Sequence, residues 1–68
     1  MENIKIRFGK QVKKLRQERR LSQEALANEC DLDRTYLPGI EKGKRNVSLT
    51  VIEKIAKGLK IELKQLFE

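Results

Sequence analysis

The stretch LSQEALANECDLDRTYLPGIEKGKRN, residues 21–46, decides how the chain is read. Ser22 suits a helix N-cap, because its hydroxyl can accept one of the amide N–H groups that a first turn leaves unpaired. Glu24 in that turn favours the positive end of the helix dipole. Leu26 and Cys30 are four apart and should point inward, and Ala27 is small enough to let another helix approach closely. The run Asp31, Leu32, Asp33 breaks the pattern. Asp33 is then expected to cap a third helix reaching about Lys42, with Leu37 and Ile40 as its inward pair, and Gly43 to end it in the left-handed conformation. Two short helices joined by a tight turn make a helix-turn-helix unit.

Pro38 and Gly39 interrupt this third helix. With Asp33 as cap, Pro38 is the fifth helical residue; its missing N–H would have bonded the Arg34 carbonyl, at a cost on the order of 3 kcal/mol in a regular helix. Gly39 adds looseness. The expectation is a segment that stays helical but bends at Arg34–Pro38 and keeps its first turn intact. The alternative is two separate turns.

On either side of this unit, apolar residues recur at helical spacing, so the chain reads all-α. A first helix is expected over residues 4–19, with Ile4, Phe8, Val12 and Leu15 on one face and Arg16 at its border. Ser48 should cap a fourth helix with an apolar stripe of Leu49, Ile52, Ile55, Ala56 and Leu59, weakened at its end by Gly58. IELKQLFE, residues 61–68, should form a short fifth helix carrying Leu63, Leu66 and Phe67. Five short helices with tight connections suit a compact orthogonal bundle.

The 68 residues set a ceiling of one domain, residues 1–68, with a small core. A single cysteine rules out an internal disulfide, and the absence of histidine rules out a zinc site of the usual Cys/His kind. Oligomerisation is the staple that remains for so small a core. The net charge is +6, from 16 Lys and Arg against 10 Asp and Glu. It is uneven: residues 1–20 and 34–47 are basic, while residues 21–33 hold only the acids Glu24, Glu29, Asp31 and Asp33. Clustered bases point to a polyanionic partner or, more simply, to a solubilising surface. No apolar run approaches a membrane span, and the first ten residues lack a signal peptide's apolar stretch, so a cytoplasmic, membrane-free protein is expected. There are no paired carboxylates in a cleft pattern and no glycine-rich phosphate loop. An enzyme, a metal or an organic cofactor is therefore not expected.

From Gln23 to Lys42 the sequence resembles the helix-turn-helix of the phage-repressor (Cro/C1, Xre-type) DNA-binding domains position by position, and the likeness extends from Phe8 to Phe67. The run LDRTY, GIEKGKRN and the following Ser-Leu is similar to the controller proteins of restriction–modification systems. The resemblance implies a five-helix, lambda-repressor-like fold, a double-stranded DNA partner and a homodimer on a palindromic site. If the protein activates transcription, RNA polymerase is a further partner. The turn position usually held by glycine is Asp31, a mild departure, since aspartate tolerates left-handed backbone; Pro38 is the larger one.

Arg34, in what would be the first turn of the recognition helix, is the candidate base reader, because a guanidinium can donate two hydrogen bonds to guanine O6 and N7. Thr35 offers a hydroxyl or methyl to a base, or serves as a cap. Tyr36 reaches the phosphate backbone, or is a half-buried core residue. Ser22 and Gln23 open the second helix at an end that faces phosphate in the family. Lys42, Lys44 and Asn46 are candidates for backbone contacts, and the controller resemblance implies that Arg45 also reaches a base; a merely soluble loop is the plainer reading. By the same resemblance Arg16 and Glu41 form an internal ion pair that orients the reading helix. Leu63 and Phe67 are placed at a dimer contact, or else close the monomer core. A second functional class remains open: an antitoxin-type interaction module on the same fold.

Overall fold

The computed structural model describes residues 3–68, which form four α-helices and one 3-10 helix with no strand among them. Helix α1 spans Ile4–Glu18, α2 Gln23–Glu29, α3 Tyr36–Glu41 and α4 Leu49–Leu59, and the terminal 3-10 helix is Leu63–Phe67. The expected fifth α-helix is thus a 3-10 helix. Short terminal pieces of this kind commonly take the tighter i→i+3 pattern. Instead the Gln65 N–H donates to the Glu62 carbonyl and the Glu62 N–H to Gln65 Oε1, both at 3.0 Å.

Side-chain caps start three of the α-helices: Asn3, Ser22 and Ser48 accept from the amides of Lys5, Ala25 and Val51. The core is built from Phe8 and Val12 of α1, Leu26, Ala27 and Cys30 around α2, Leu37 and Ile40 of α3, Ile55, Ala56 and Leu59 of α4, and Leu66. Two residues expected on inward stripes face outward. Ile4 is 56% exposed and Leu49 is 85% exposed, because each stands at the first position of its helix, past the edge of the globule.

Glycines set how closely the helices approach. A Cβ on Gly9 would overlap the Ile40 carbonyl oxygen and lie 2.8 Å from that of Glu41, so α1 meets the end of α3 backbone to backbone. Gly58 is likewise a contact residue and not a weak helix end: a Cβ there would overlap Cys30 Sγ. The end of α4 is made by Lys60, which adopts φ 58. Asp31 (φ 56) and Gly43 (φ 74) take the left-handed conformation at the turns after α2 and α3.

The third helix begins later than the sequence reading placed it. Asp33 caps no helix; its carboxylate accepts from the Thr35 amide (2.9 Å) and the Thr35 hydroxyl (2.8 Å), and its carbonyl accepts from the Tyr36 amide (3.0 Å). These bonds close a separate turn over residues 33–36 and leave Thr35 as the residue preceding α3. Pro38 is therefore third in the helix, not fifth. The first amides of any helix lack intrahelical acceptors, so a proline there forfeits no bond. The bend expected at Arg34–Pro38 is replaced by a helix boundary between Thr35 and Tyr36.

Candidate nucleic-acid interface

A buried charge cluster fixes α3 against α1 and α2. Arg16 Nε donates to Glu41 Oε2 at 2.7 Å and Nη2 to Oε1 at 3.0 Å, while Nη1 donates to the Leu21 carbonyl at 2.7 Å. Gln23 Nε2 adds a 3.1 Å bond to Glu41 Oε1. The side chains of Arg16 and Glu41 are 11% and 4% exposed, so the fork-to-fork pair is largely shielded from water. The hydrogen bond to Glu41 raises the Arg16 pKa above its ordinary value, against the opposing effect of burial. Among the described residues no buried polar side-chain atom lacks a partner.

This cluster orients a face that carries most of the residues singled out from the sequence. Arg34 stands in the turn ahead of α3, not in its first turn, with Nη1 3.6 Å from Oε2 of Glu24. Thr35 is exposed and tied to Asp33. The Asp33 pKa is lowered, first by the Thr35 amide, then by the Thr35 hydroxyl, and also by the charge of Arg34. Tyr36 is half-buried, packs on the core, and carries the Arg45 guanidinium 4.4 Å above its ring. Arg45 Nε also lies 3.6 Å from where a Gly39 Cβ would be, so its side chain lies back across α3. A guanidinium over an aromatic ring is attracted to the ring face while its N–H donors remain available to other partners.

Lys42, Lys44 and Asn46 are exposed around Arg45. Ser22 is exposed and its hydroxyl accepts the Ala25 amide, whereas the Gln23 amide is turned inward onto Glu41. Leu63 and Phe67 follow on the terminal 3-10 helix, with Phe67 lining a hollow beside Arg45 and Asn46. They are 49% and 45% exposed and line an open groove with Leu49, Thr50, Ile52 and Glu53. Phe67 also meets Phe8, with ring centroids 5.5 Å apart.

The sequence reading missed the partners of Arg34, Arg45 and Gln23, and the part Leu49 plays in the groove. No motif marks such contacts, since each joins residues distant in the chain. Leu49 alone carried a signal: it follows a cap serine directly, a position that often overhangs the core. Cys30 is buried, and burial, with a smaller contribution from Glu29, pushes its thiol up to about 11. Among the described residues there is no cluster able to hold a metal ion, and no helix is long and apolar enough to cross a membrane.

Helices α2 and α3, joined by a short turn and held together through Gln23, Arg16 and Glu41, form a helix-turn-helix unit. The chain belongs to the helix-turn-helix family, whose model matches residues 12–66. It is 60% identical over 68 residues to control protein C.MunI of Mycoplasma sp, covering 98% of this chain and 92% of that one. The crystal structure of the restriction–modification controller protein C.AhdI from Aeromonas hydrophila superposes with a TM-score of 0.90 at 48% identity, over 93% of this chain and 96% of that one. C.Esp1396I bound to a 25 base pair operator site gives 0.87 at 36% identity, over 98% and 88%.

Proposed function

We propose that the protein is a cytoplasmic, sequence-specific DNA-binding transcriptional regulator. It acts as a homodimer on a palindromic operator, as the controller of a restriction–modification system. The observation that carries the reading is the pair of exposed arginines, Arg34 ahead of α3 and Arg45 stacked across it, on a helix fixed by Arg16 and Glu41. Phosphate contacts from Lys42, Lys44, Asn46, Ser22 and Tyr36 supply affinity and position, and the arginines with Thr35 supply base readout. The Gln23 amide, engaged by Glu41, supports this face from behind. The exposed Leu49, Leu63 and Phe67 form the dimer seam, and RNA polymerase is a partner where the bound dimer activates. Similarity to control proteins favours this reading over an antitoxin-type module.

Selection of bound sites from random duplexes tests DNA binding, palindromy and spacing together. The expected product is two inverted half-sites about one helical turn, ~34 Å, apart. Protein that prefers no duplex over scrambled competitor at near-physiological salt refutes the proposal.

A further inference from the structure

The two outward arginines are held in different ways. Arg45 is held over the Tyr36 ring and beside Gly39. Arg34 projects from the turn over residues 33–36 with its side chain 76% exposed and its Nη1 3.6 Å from Oε2 of Glu24. Glu24 sits in the first turn of α2, beside Ser22 and Gln23, on the side proposed to meet phosphate. A carboxylate there works against binding a polyanion. Its side chain is 67% exposed, and an ion pair so exposed adds little to stability. Its charge suits the positive end of the α2 dipole, but that interaction does not require the pairing with Arg34.

We infer that Glu24 is a specificity-determining residue: by pairing with Arg34 it keeps that guanidinium off the phosphate rails, so that Arg34 adds affinity at the correct base and not elsewhere. The inference rests on the DNA-reading function proposed above. A guanidinium has five N–H donors, and a bidentate contact to guanine uses two. Arg34 can thus read a base while still paired with Glu24, which braces it from behind. On a wrong sequence the long side chain has no base to meet and would swing to the nearest phosphate. Glu24 opposes that movement with its own charge. Glu24 touches no base in this scheme; it is a positioning residue acting through Arg34.

The test compares wild type, Glu24→Gln, Arg34→Ala and the double variant on the selected duplex and on a scrambled duplex of equal length, across a salt series. Both substitutions fall on exposed side chains, and matching thermal melts establish that folding is unchanged. Glu24→Gln should tighten binding to scrambled DNA more than to the cognate duplex, lowering the preference about two- to five-fold per half-site, the range an exposed ion pair can supply. Its salt slope on scrambled DNA should steepen by about one contact's worth, as Arg34 reaches a phosphate. With Arg34 already removed, Glu24→Gln should move both duplexes by one common factor. If Glu24→Gln moves both duplexes equally while Arg34 is present, or lowers the preference just as much in its absence, the inference is overturned. Wild type that discriminates, combined with either result, leaves the DNA-reading function standing; wild type that does not discriminate overturns both.

Discussion

Replacing Glu41 by glutamine should be one of the most damaging single-atom-scale changes this protein can suffer. The substitution keeps the side chain's shape but removes its charge and converts one oxygen into an NH2 group. Arg16 Nε and Nη2 now each find their own acceptor at 2.7 and 3.0 Å. In the variant one of them faces a donor, and a guanidinium only 11% exposed keeps its full charge against a neutral partner. Breaking a buried pair from one side costs about 3–5 kcal/mol. The lower end applies here, about 3 kcal/mol, because the Leu21 carbonyl still accepts from Nη1 and the amide oxygen retains one bond. A chain of this length has roughly 3–10 kcal/mol of stability in total. The loss therefore corresponds to about 12–25 °C in melting temperature. Urea titration followed by circular dichroism measures it. The double variant Arg16→Met, Glu41→Leu should recover a large part of the loss, since no uncompensated charge remains. A single variant within about 1 kcal/mol of wild type, or a double variant as unstable as the two losses added, would refute the argument.

Arg34→Ala should lose about 1–3 kcal/mol on the selected operator and relax preference at one position, whereas Lys44→Ala should weaken all sequences alike; competition binding separates the two patterns. Gly9→Ala places a methyl against the carbonyls of Ile40 and Glu41, which are backbone and cannot rotate away, so a loss of at least ~2 kcal/mol is expected in the same urea assay. Pro38→Ala should change stability by no more than about 1 kcal/mol, because the amide it restores has no acceptor in the first turn of α3; a large gain would return Pro38 to a helix interior. Cys30 stays protonated in the folded protein up to about 11 but ionises near its ordinary 9.0 once unfolded. Only the unfolded state releases its proton in that window, so stability is intact below pH 9 and falls between 9 and 11, by at most about 3 kcal/mol. Cys30→Ala should lack that component, and the difference between the two proteins' stability curves isolates it from other titrations.

The helix-turn-helix was legible because its signals are local. Ser22 and Ser48 cap where a hydroxyl before an apolar run should, and Asp31 and Gly43 turn where left-handed backbone is tolerated. The start of α3 was misplaced by two competing local signals. Asp33 reads equally well as a helix cap and as the head of a turn closed on Thr35, and only Pro38, correctly weighed, excludes the earlier start. Arg16 and Glu41 came together as their residue types in this fold imply. Contacts such as Arg45 on Tyr36 or Arg34 beside Glu24 depend on loop geometry over several residues, and no single-residue preference encodes that. Gly58 was misread for the same reason, whereas Ala27 and Gly43 take the places expected of them. Gly58 looks like a helix weakness until Cys30 of another element is seen to fill the space where its side chain would be.

The place of Pro38 in α3 has a consequence for the denatured chain. A six-residue helix is too short to persist by itself, and each of its residues must surrender backbone freedom when the protein folds. Proline's ring has already restricted its own φ to values compatible with a helix before folding starts, while its clash with Leu37, a helical residue of α3, offsets part of that gain. Fewer disordered conformers then compete with the native one, and an effect of this kind is worth about 0.4–1 kcal/mol without any native contact. The residue that looks like a helix breaker instead narrows the search for the shortest of the four α-helices.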